Sequence, residues 1–349
     1  MSAMLSLQFQ TMYAQLVDIA HLGRLQSDFA STGNFVSRTI KGRRYWYFRT
    51  PMEGGNRRDR YVGPDSPELE ERIRRHGEQK ESRRERRTLV TGLQRAGLKG
   101  PDARTGAILE ALEAAGIFRM RAVVVGTVAY QAYAGLLGAK LQDRNFMTQD
   151  LDVAQFDAIS IAVGDAVATP FLDILRQVDP SADAIAETFE PTKAWRYRLG
   201  TYQVEILTPK RGPDGDALVH LPALKTDARP LRHLDFLIYR EIPAVILHGL
   251  GIAVNVPAPE RYCLHKLIVS QRRQATDAVS YAKSRKDLAQ AQELMAALIQ
   301  QKPHELRDAW DELQDRGPKW RERVAKGLAM IDPGVRSAFE GLVGPSGPT

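Results

Sequence analysis

Apolar residues recur at Leu5, Phe9, Met12, Leu16, Ile19 and Leu22. That spacing of three and four predicts a helix over residues 5–30. Gly33-Asn34 breaks it, and from Phe35 to Val62 the pattern turns β-prone. Arg44-Tyr45-Trp46-Tyr47-Phe48-Arg49 reads as a strand, Gly54-Gly55-Asn56 as a turn and Arg60-Tyr61-Val62 as the returning strand. Ser66 followed by Pro67 is a helix start. The helix it opens runs to about Gly97, polar and rich in arginine.

The texture changes after residue 103. A helix is predicted over 103–117, a buried strand over Arg121–Val125, and a helix over Ala129–Leu141. Leu151 and Val153 mark another strand, Phe171–Gln177 a helix, and Trp195–Leu199 with Tyr202–Leu207 a hairpin turning at Gly200-Thr201. Phe236-Leu237-Ile238 and Ile252–Val256 read as later strands, and the chain beyond Pro259 as helices with turns at Pro303 and Gly317-Pro318. The expected class is therefore α+β. A helix–hairpin–helix region spans 1–104, a mixed core 105–257 and a helical domain 258–349.

Composition removes whole classes. The single Cys263 excludes a disulfide framework and a cysteine zinc site, and the seven histidines form no H-E-x-x-H. No apolar run is long enough for a transmembrane helix, and the first twenty residues lack a basic stretch ahead of their apolar positions. The expectation is a cytoplasmic protein with no membrane partner. Net charge is +7, and residues 38–95 alone hold 17 Lys+Arg against 9 Asp+Glu, so the rest of the chain is nearly neutral. Basicity so localised favours a polyanionic partner, RNA or tRNA above all. The hairpin aromatics Tyr45, Trp46, Tyr47, Phe48 and Tyr61 alternate with Arg43, Arg44, Arg49 and Arg60. They form either a platform for stacked bases or a small core with arginines outward. The Arg-rich helix is either a solvated linker or a segment that tracks a phosphate backbone.

The candidate chemistry lies in Thr148-Gln149-Asp150-Leu151-Asp152-Val153. Alternate residues of a strand share a face, so Asp150 and Asp152 project together while Leu151 and Val153 bury behind them. Two like charges side by side call for a cation, and Mg2+ sites are built from one or two carboxylates plus substrate phosphates. The plain alternative is an acidic strand end. Val123-Val124-Val125-Gly126-Thr127 is strand, glycine, hydroxyl residue, helix, a turn that lets backbone N–H groups approach phosphate. Neither G-x-G-x-x-G nor a P-loop is present. Glu205, between Val204 and Ile206, faces the two aspartates if its strand pairs beside theirs.

This set resembles the polymerase-β-like nucleotidyltransferase superfamily. The resemblance implies that Gly126 and Thr127 hold the phosphates of an NTP. Asp150 and Asp152 would bind Mg2+ (or Mn2+), with Glu205 as third carboxylate, the three converging at about the 4 Å scale of a two-metal site. Pro257–Leu267, Arg272-Arg273 and Lys283-Ser284-Arg285-Lys286-Asp287-Leu288 resemble the abortive-infection toxin branch. Closer still is a bacterial family of uncharacterised nucleotidyltransferase-fold proteins, which shares an aromatic hairpin like Arg43–Tyr47. By that likeness Lys266, Arg273 and Lys286 contact the nucleotide, and a toxin–antitoxin role comes into view; read plainly, Lys266 is a surface lysine of its helix, and Asp287 either caps a helix or braces Lys266. Thr127 replaces the usual second Gly or Ser, and the gap to Asp150 is longer than in compact polymerases. The rival is an inactive nucleotidyltransferase fold that binds nucleic acid or a partner.

Overall fold

The computed structural model describes residues 4–22, 33–40, 43–51, 57–142, 146, 148–187, 190–210, 212, 217–272 and 277–344. Helix α1 spans Leu7–Leu22, two residues later than expected at its start; residues 23–30 of the expected helix lie outside the described residues, as does the turn Gly54–Asn56. Strands β1 (Asn34–Ile40), β2 (Arg43–Pro51) and β3 (Arg57–Pro64) form an antiparallel sheet with a bulge between Trp46 and Tyr47. Helix α2 (Pro67–Arg95) is capped by Ser66, whose hydroxyl accepts from the Leu69 N–H at 3.2 Å, with Pro67 at the first position.

Helix α3 (Ala103–Ala114) opens on Asp102, which accepts from the N–H groups of Arg104 and Thr105. The core sheet is mixed. It contains β4 (Val123–Val125), β5 (Asp150–Ala154), β6 (Asp183–Ala184), β7 (Arg196–Leu199), β8 (Tyr202–Pro209), β9 (Val219–Leu221) and β10 (Thr226–Leu231). Its main path is β4-β5-β8-β10-β9, with β7 paired to the start of β8 and β6 to β7. Strand β8 runs parallel to β5 and β10, and antiparallel to β7. Gly200, at φ 57°, makes the β7–β8 turn, a left-handed conformation that glycine adopts without strain. Helix α4 (Gly126–Leu136) follows β4 directly, and α5 (Asp157–Ala162) and α6 (Phe171–Arg176) lie between the later strands.

Phe236-Leu237-Ile238 is not a strand. It belongs to the short helix α7 (Leu234–Ile238), and the strand comes afterwards, as β11 (Glu241–Ile246) pairing with β12 (Ile252–Pro257). A short apolar run buried on every side fits either period, so its pattern cannot separate helix from strand; Leu234, Phe236, Leu237 and Ile238 are all buried. The helix expected from Ala129 starts three residues earlier, at Gly126.

Among the described residues, the helices that follow are α8 (Pro259–Arg272), α9 (Ala278–Gln301), α10 (Pro303–Asp315), α11 (Pro318–Leu328) and α12 (Pro333–Val343). One apolar cluster runs from Ile108 in α3 through the sheet to Phe339 in α12, so the C-terminal helices share the core of the sheet. A second cluster holds α1 and the end of α2 against the β11–β12 hairpin through Leu16, Leu93, Val245 and Ala253. Arg86 adds hydrogen bonds to the carbonyls of Leu250 and Gly251. Among the described residues, no helix is long and apolar enough to cross a membrane.

Candidate active site

The site is built on the β4–α4 turn and two parallel strands. Asp150 pairs in register with Gln203 and Asp152 with Glu205, so these four side chains share one face of β5 and β8. Val125 pairs with Asp152 on the other side, which brings the β4–α4 turn over that aspartate. Gly126 has φ 65°, and a Cβ there would lie 2.4 Å from the Asp152 carboxylate oxygen. Both its conformation and the close approach require glycine. The first N–H groups of α4, at Gly126 and Thr127, have no partner within their own helix and border this carboxylate cleft.

The cleft, of about 510 Å3, is lined by Gly126, Thr127, Asp150 and Asp152 on the sheet side and by Lys266, Lys283 and Lys286 from α8 and α9. Asp277 caps α9, accepting from the Ser280 N–H at 2.8 Å. Lys283, Lys286, Asp287 and Gln290 then follow at helical spacing along one face. Lys266, 8% exposed, donates to Asp287 at 2.6 Å and lies over the Tyr262 ring. Tyr262 donates to the carbonyl of Gly126 at 2.9 Å and meets Gln290 at 3.0 Å, tying α8 and α9 to the β4–α4 turn. The Lys283 amine stands 3.8 Å from Asp150, and the Thr148 hydroxyl donates to the same carboxylate.

Charge is crowded here. Burial, with the negative charges of Asp150 and Glu205, pushes the Asp152 carboxyl up to about 7. Burial, and then Lys266, brings the Lys286 amine down to about 8. Glu205 is raised by burial and by Asp150, against the opposing pull of Arg196 and Arg229. Among the described residues no three carboxylate, histidine or cysteine side chains converge into a metal-ligand set. As expected from the sequence, Asp150, Asp152 and Glu205 share one face of adjacent strands. Glu205 pairs beside Asp152, its charge acts on that carboxyl, and Arg196 and Arg229 act on it in turn as counter-charges. The Asp150–Asp152 pair with room for phosphate oxygens still has the composition of an Mg2+ site completed by its substrate. The cradle at Gly126 and the raised Asp152 fit a hard cation there.

Of the residues singled out in the sequence, Gly126, Thr127, Asp150, Asp152, Lys266 and Lys286 come together in this cleft. Arg273 lies outside the described residues. Lys283, Thr148, Thr201 and Gln203 also line the cleft. Lys283 stands one turn from Lys286, a spacing legible once α9 is known to face the sheet.

A profile of the nucleotidyltransferase family matches residues 103–315, from α3 through α10 and across the whole cleft. The chain belongs to the nucleotidyltransferase family. Its α+β architecture and cleft agree with a nucleotidyltransferase-fold superfamily. A second profile, of a domain of unknown function, matches residues 8–71, which include α1 and the N-terminal sheet. The crystal structure of an antigenic nucleotidyltransferase-like protein from Paracoccidioides brasiliensis aligns at 13% identity over 65% of this chain and 95% of that one. Its TM-score is 0.29, too slight a likeness to inform the site. No curated protein matches the chain.

Proposed function

We propose that this family member transfers a nucleotidyl group from an NTP to an acceptor hydroxyl, of RNA (tRNA included) or of a protein, with Mg2+ (or Mn2+) as cofactor. The observation that carries the proposal is one cleft in which two aspartates on the same face of β5 meet the β4–α4 turn and three lysines of α8 and α9. Asp150 and Asp152 would hold the cation, which supplies charge neutralisation at the phosphates and at the entering oxygen. Gly126 and Thr127 receive phosphate oxygens on backbone N–H groups. Lys266, Lys283 and Lys286 take up the charge of the triphosphate, with Lys266 held in place by Asp287. The acceptor oxygen attacks the α-phosphorus, the α–β bridging bond breaks, and pyrophosphate leaves toward the lysines. Glu205, whose carboxyl is raised by burial, would receive the hydroxyl proton. Catalysis of this kind rests on positioning and charge neutralisation.

The test is incubation with each labelled NTP, Mg2+ or Mn2+, and total RNA or lysate protein, beside Asp150→Ala. Label transferred by the native chain and lost in the variant supports the proposal. No label with any nucleotide favours an inactive fold that only binds.

A further inference from the structure

The acid-bearing face of the sheet does not end at Glu205. Strand β7 continues both rows: Arg198 pairs with Gln203, and Arg196 with Glu205. Across three strands the rows read Asp150, Gln203, Arg198 and Asp152, Glu205, Arg196. Beyond the end of β7, β10 takes the same edge of β8 and sets Arg229 opposite Leu207, one more step along that face. The cleft's lysines come from α8 and α9, whereas these arginines come from β7 and β10, on the edge of β8 away from β5.

These arginines differ from ordinary surface cations in two ways. Among the described residues, none of the three forms an ion pair within 4 Å, though Arg196 and Arg229 act on Glu205 from farther away. Arg198 and Arg229 are exposed, and the buried Nε of Arg196 has no hydrogen-bond partner. Asp183, which closes the Arg198 row on β6, turns its carboxylate to the Ala184 N–H. The arginines are also positioned. The guanidinium carbons of Arg196 and Arg229 lie 5.1 and 5.0 Å from the centroid of the Trp195 ring. That ring is 2% exposed and anchored by its N–H to Glu187 at 2.5 Å. A buried indole holding two guanidinium groups from different strands pre-organises them for an anion.

We infer that the acceptor is a single-stranded nucleic acid with a free 3′-hydroxyl, its phosphates running from Glu205 across Arg196, Arg198 and Arg229. This rests on the nucleotidyl-transfer reading and narrows its acceptor. The triphosphate has its own cations in the lysines of α8 and α9, so the arginines of β7 and β10 serve a second anion. An amino-acid hydroxyl brings no phosphates with it, whereas a polynucleotide end brings one for every residue behind the attacking group. Neighbouring strands are about 4.8 Å apart, so several phosphates of one chain fall within reach of the set. In the reaction the 3′-oxygen forms the new bond to the α-phosphorus, its proton passes to Glu205, and pyrophosphate departs toward α8 and α9. The chain grows by one nucleotide.

The experiment uses the full chain, a twelve-nucleotide single-stranded RNA with a free 3′-hydroxyl, its 3′-blocked twin, and the four NTPs. In the variant Arg196→Ala, Arg198→Ala and Arg229→Ala are combined. It should bind the RNA at least tenfold more weakly and flatten the plot of log affinity against log salt by about 2, because each phosphate contact to a single strand contributes about 0.7. Thermal stabilisation by NTP with Mg2+ should be unchanged in the same variant, which also shows that it is folded. The matching triple Lys variant should recover part of the affinity. Unchanged RNA affinity and salt slope overturn the inference, as does equal extension of the blocked RNA or label appearing on protein at the native rate. Those outcomes leave the transfer reading standing if NTP still stabilises the native chain. Absence of NTP stabilisation and of any transfer overturns that reading itself.

Discussion

Arginine is used in opposite ways in the N-terminal sheet and in the core sheet. In the first, Arg38 and Arg49 share Asp59, and Arg44 meets Asp65 and Glu70 while lying over Trp46, whose N–H donates to Asp65. On α2, Arg74 is paired with Glu71 and Glu78. In the second, strand register keeps Asp150, Asp152 and Glu205 in one block and Arg196, Arg198 and Arg229 in the next. The local charge excess is greater in residues 38–95, yet several of its cations are already neutralised within the segment. The lesson is that a count of charges along the chain does not give the field. Pairing decides how much of each charge is presented to a partner.

The aromatics divide in a similar manner. Phe48 is buried against Phe35 and His76, while Tyr61, 55% exposed, packs edge-on to Tyr47. The hairpin is thus half small core and half open face. Its role as a polyanion surface stands as a proposal beside the arginines of the core sheet.

The sharpest break between the regions should come from the acids. Asp150→Ala or Asp152→Ala should lower transfer by roughly 10^3-fold, the scale of removing a main electrostatic contributor, while Arg38→Ala combined with Asp59→Ala leaves the rate of labelled-NTP transfer as it was. A rate that follows the N-terminal pair would place the chemistry elsewhere. Next in size is Asp287→Ala. It leaves Lys266 buried beside Lys286 without its carboxylate, so denaturant unfolding should show a loss of about 3–5 kcal/mol. Exposed pairs such as Arg74–Glu78 should change stability by less than about 1 kcal/mol on the same measurement.

Heparin retention then weighs one set of arginines against the other. Elution should move to lower salt on substituting Arg196, Arg198 and Arg229 by Ala, and move less on substituting Arg38, Arg44 and Arg49. The reverse order would shift the nucleic-acid surface to the hairpin.

The smallest effect concerns pH. Asp152 is raised to about 7 in the folded chain from an ordinary value near 3.8, so the native state holds its proton more tightly than the unfolded one. This contribution to stability is full below about pH 4 and lost as pH rises toward 7. Without metal, Asp152→Asn should therefore raise Tm at pH 8, by about 2–4 °C for each kcal/mol relieved. The gain should vanish at pH 4. Mg2+ should raise the Tm of the native chain at pH 8 and do less for the variant. Equal melting of both at every pH would remove the charge-crowding account of the cleft.

The sequence by itself determined the local elements whose signals are short-ranged. Ser66-Pro67 starts a helix, Gly200-Thr201 turns a hairpin, and the alternation Asp150-Leu151-Asp152-Val153 puts two acids on one face. It also marked Gly126 at a strand–helix junction, where the structure finds a positive φ and a close approach to the Asp152 carboxylate that only glycine tolerates. Tertiary structure alone decided the rest. Phe236–Ile238 became helical because packing on all sides erased its periodicity, and Lys266 left the surface because Asp287 of the next helix closes over it. The alignment of Asp152, Glu205 and Arg196 was beyond a linear reading, since it depends on which strands pair and in which register. A one-residue slip would turn each of those side chains to the opposite face.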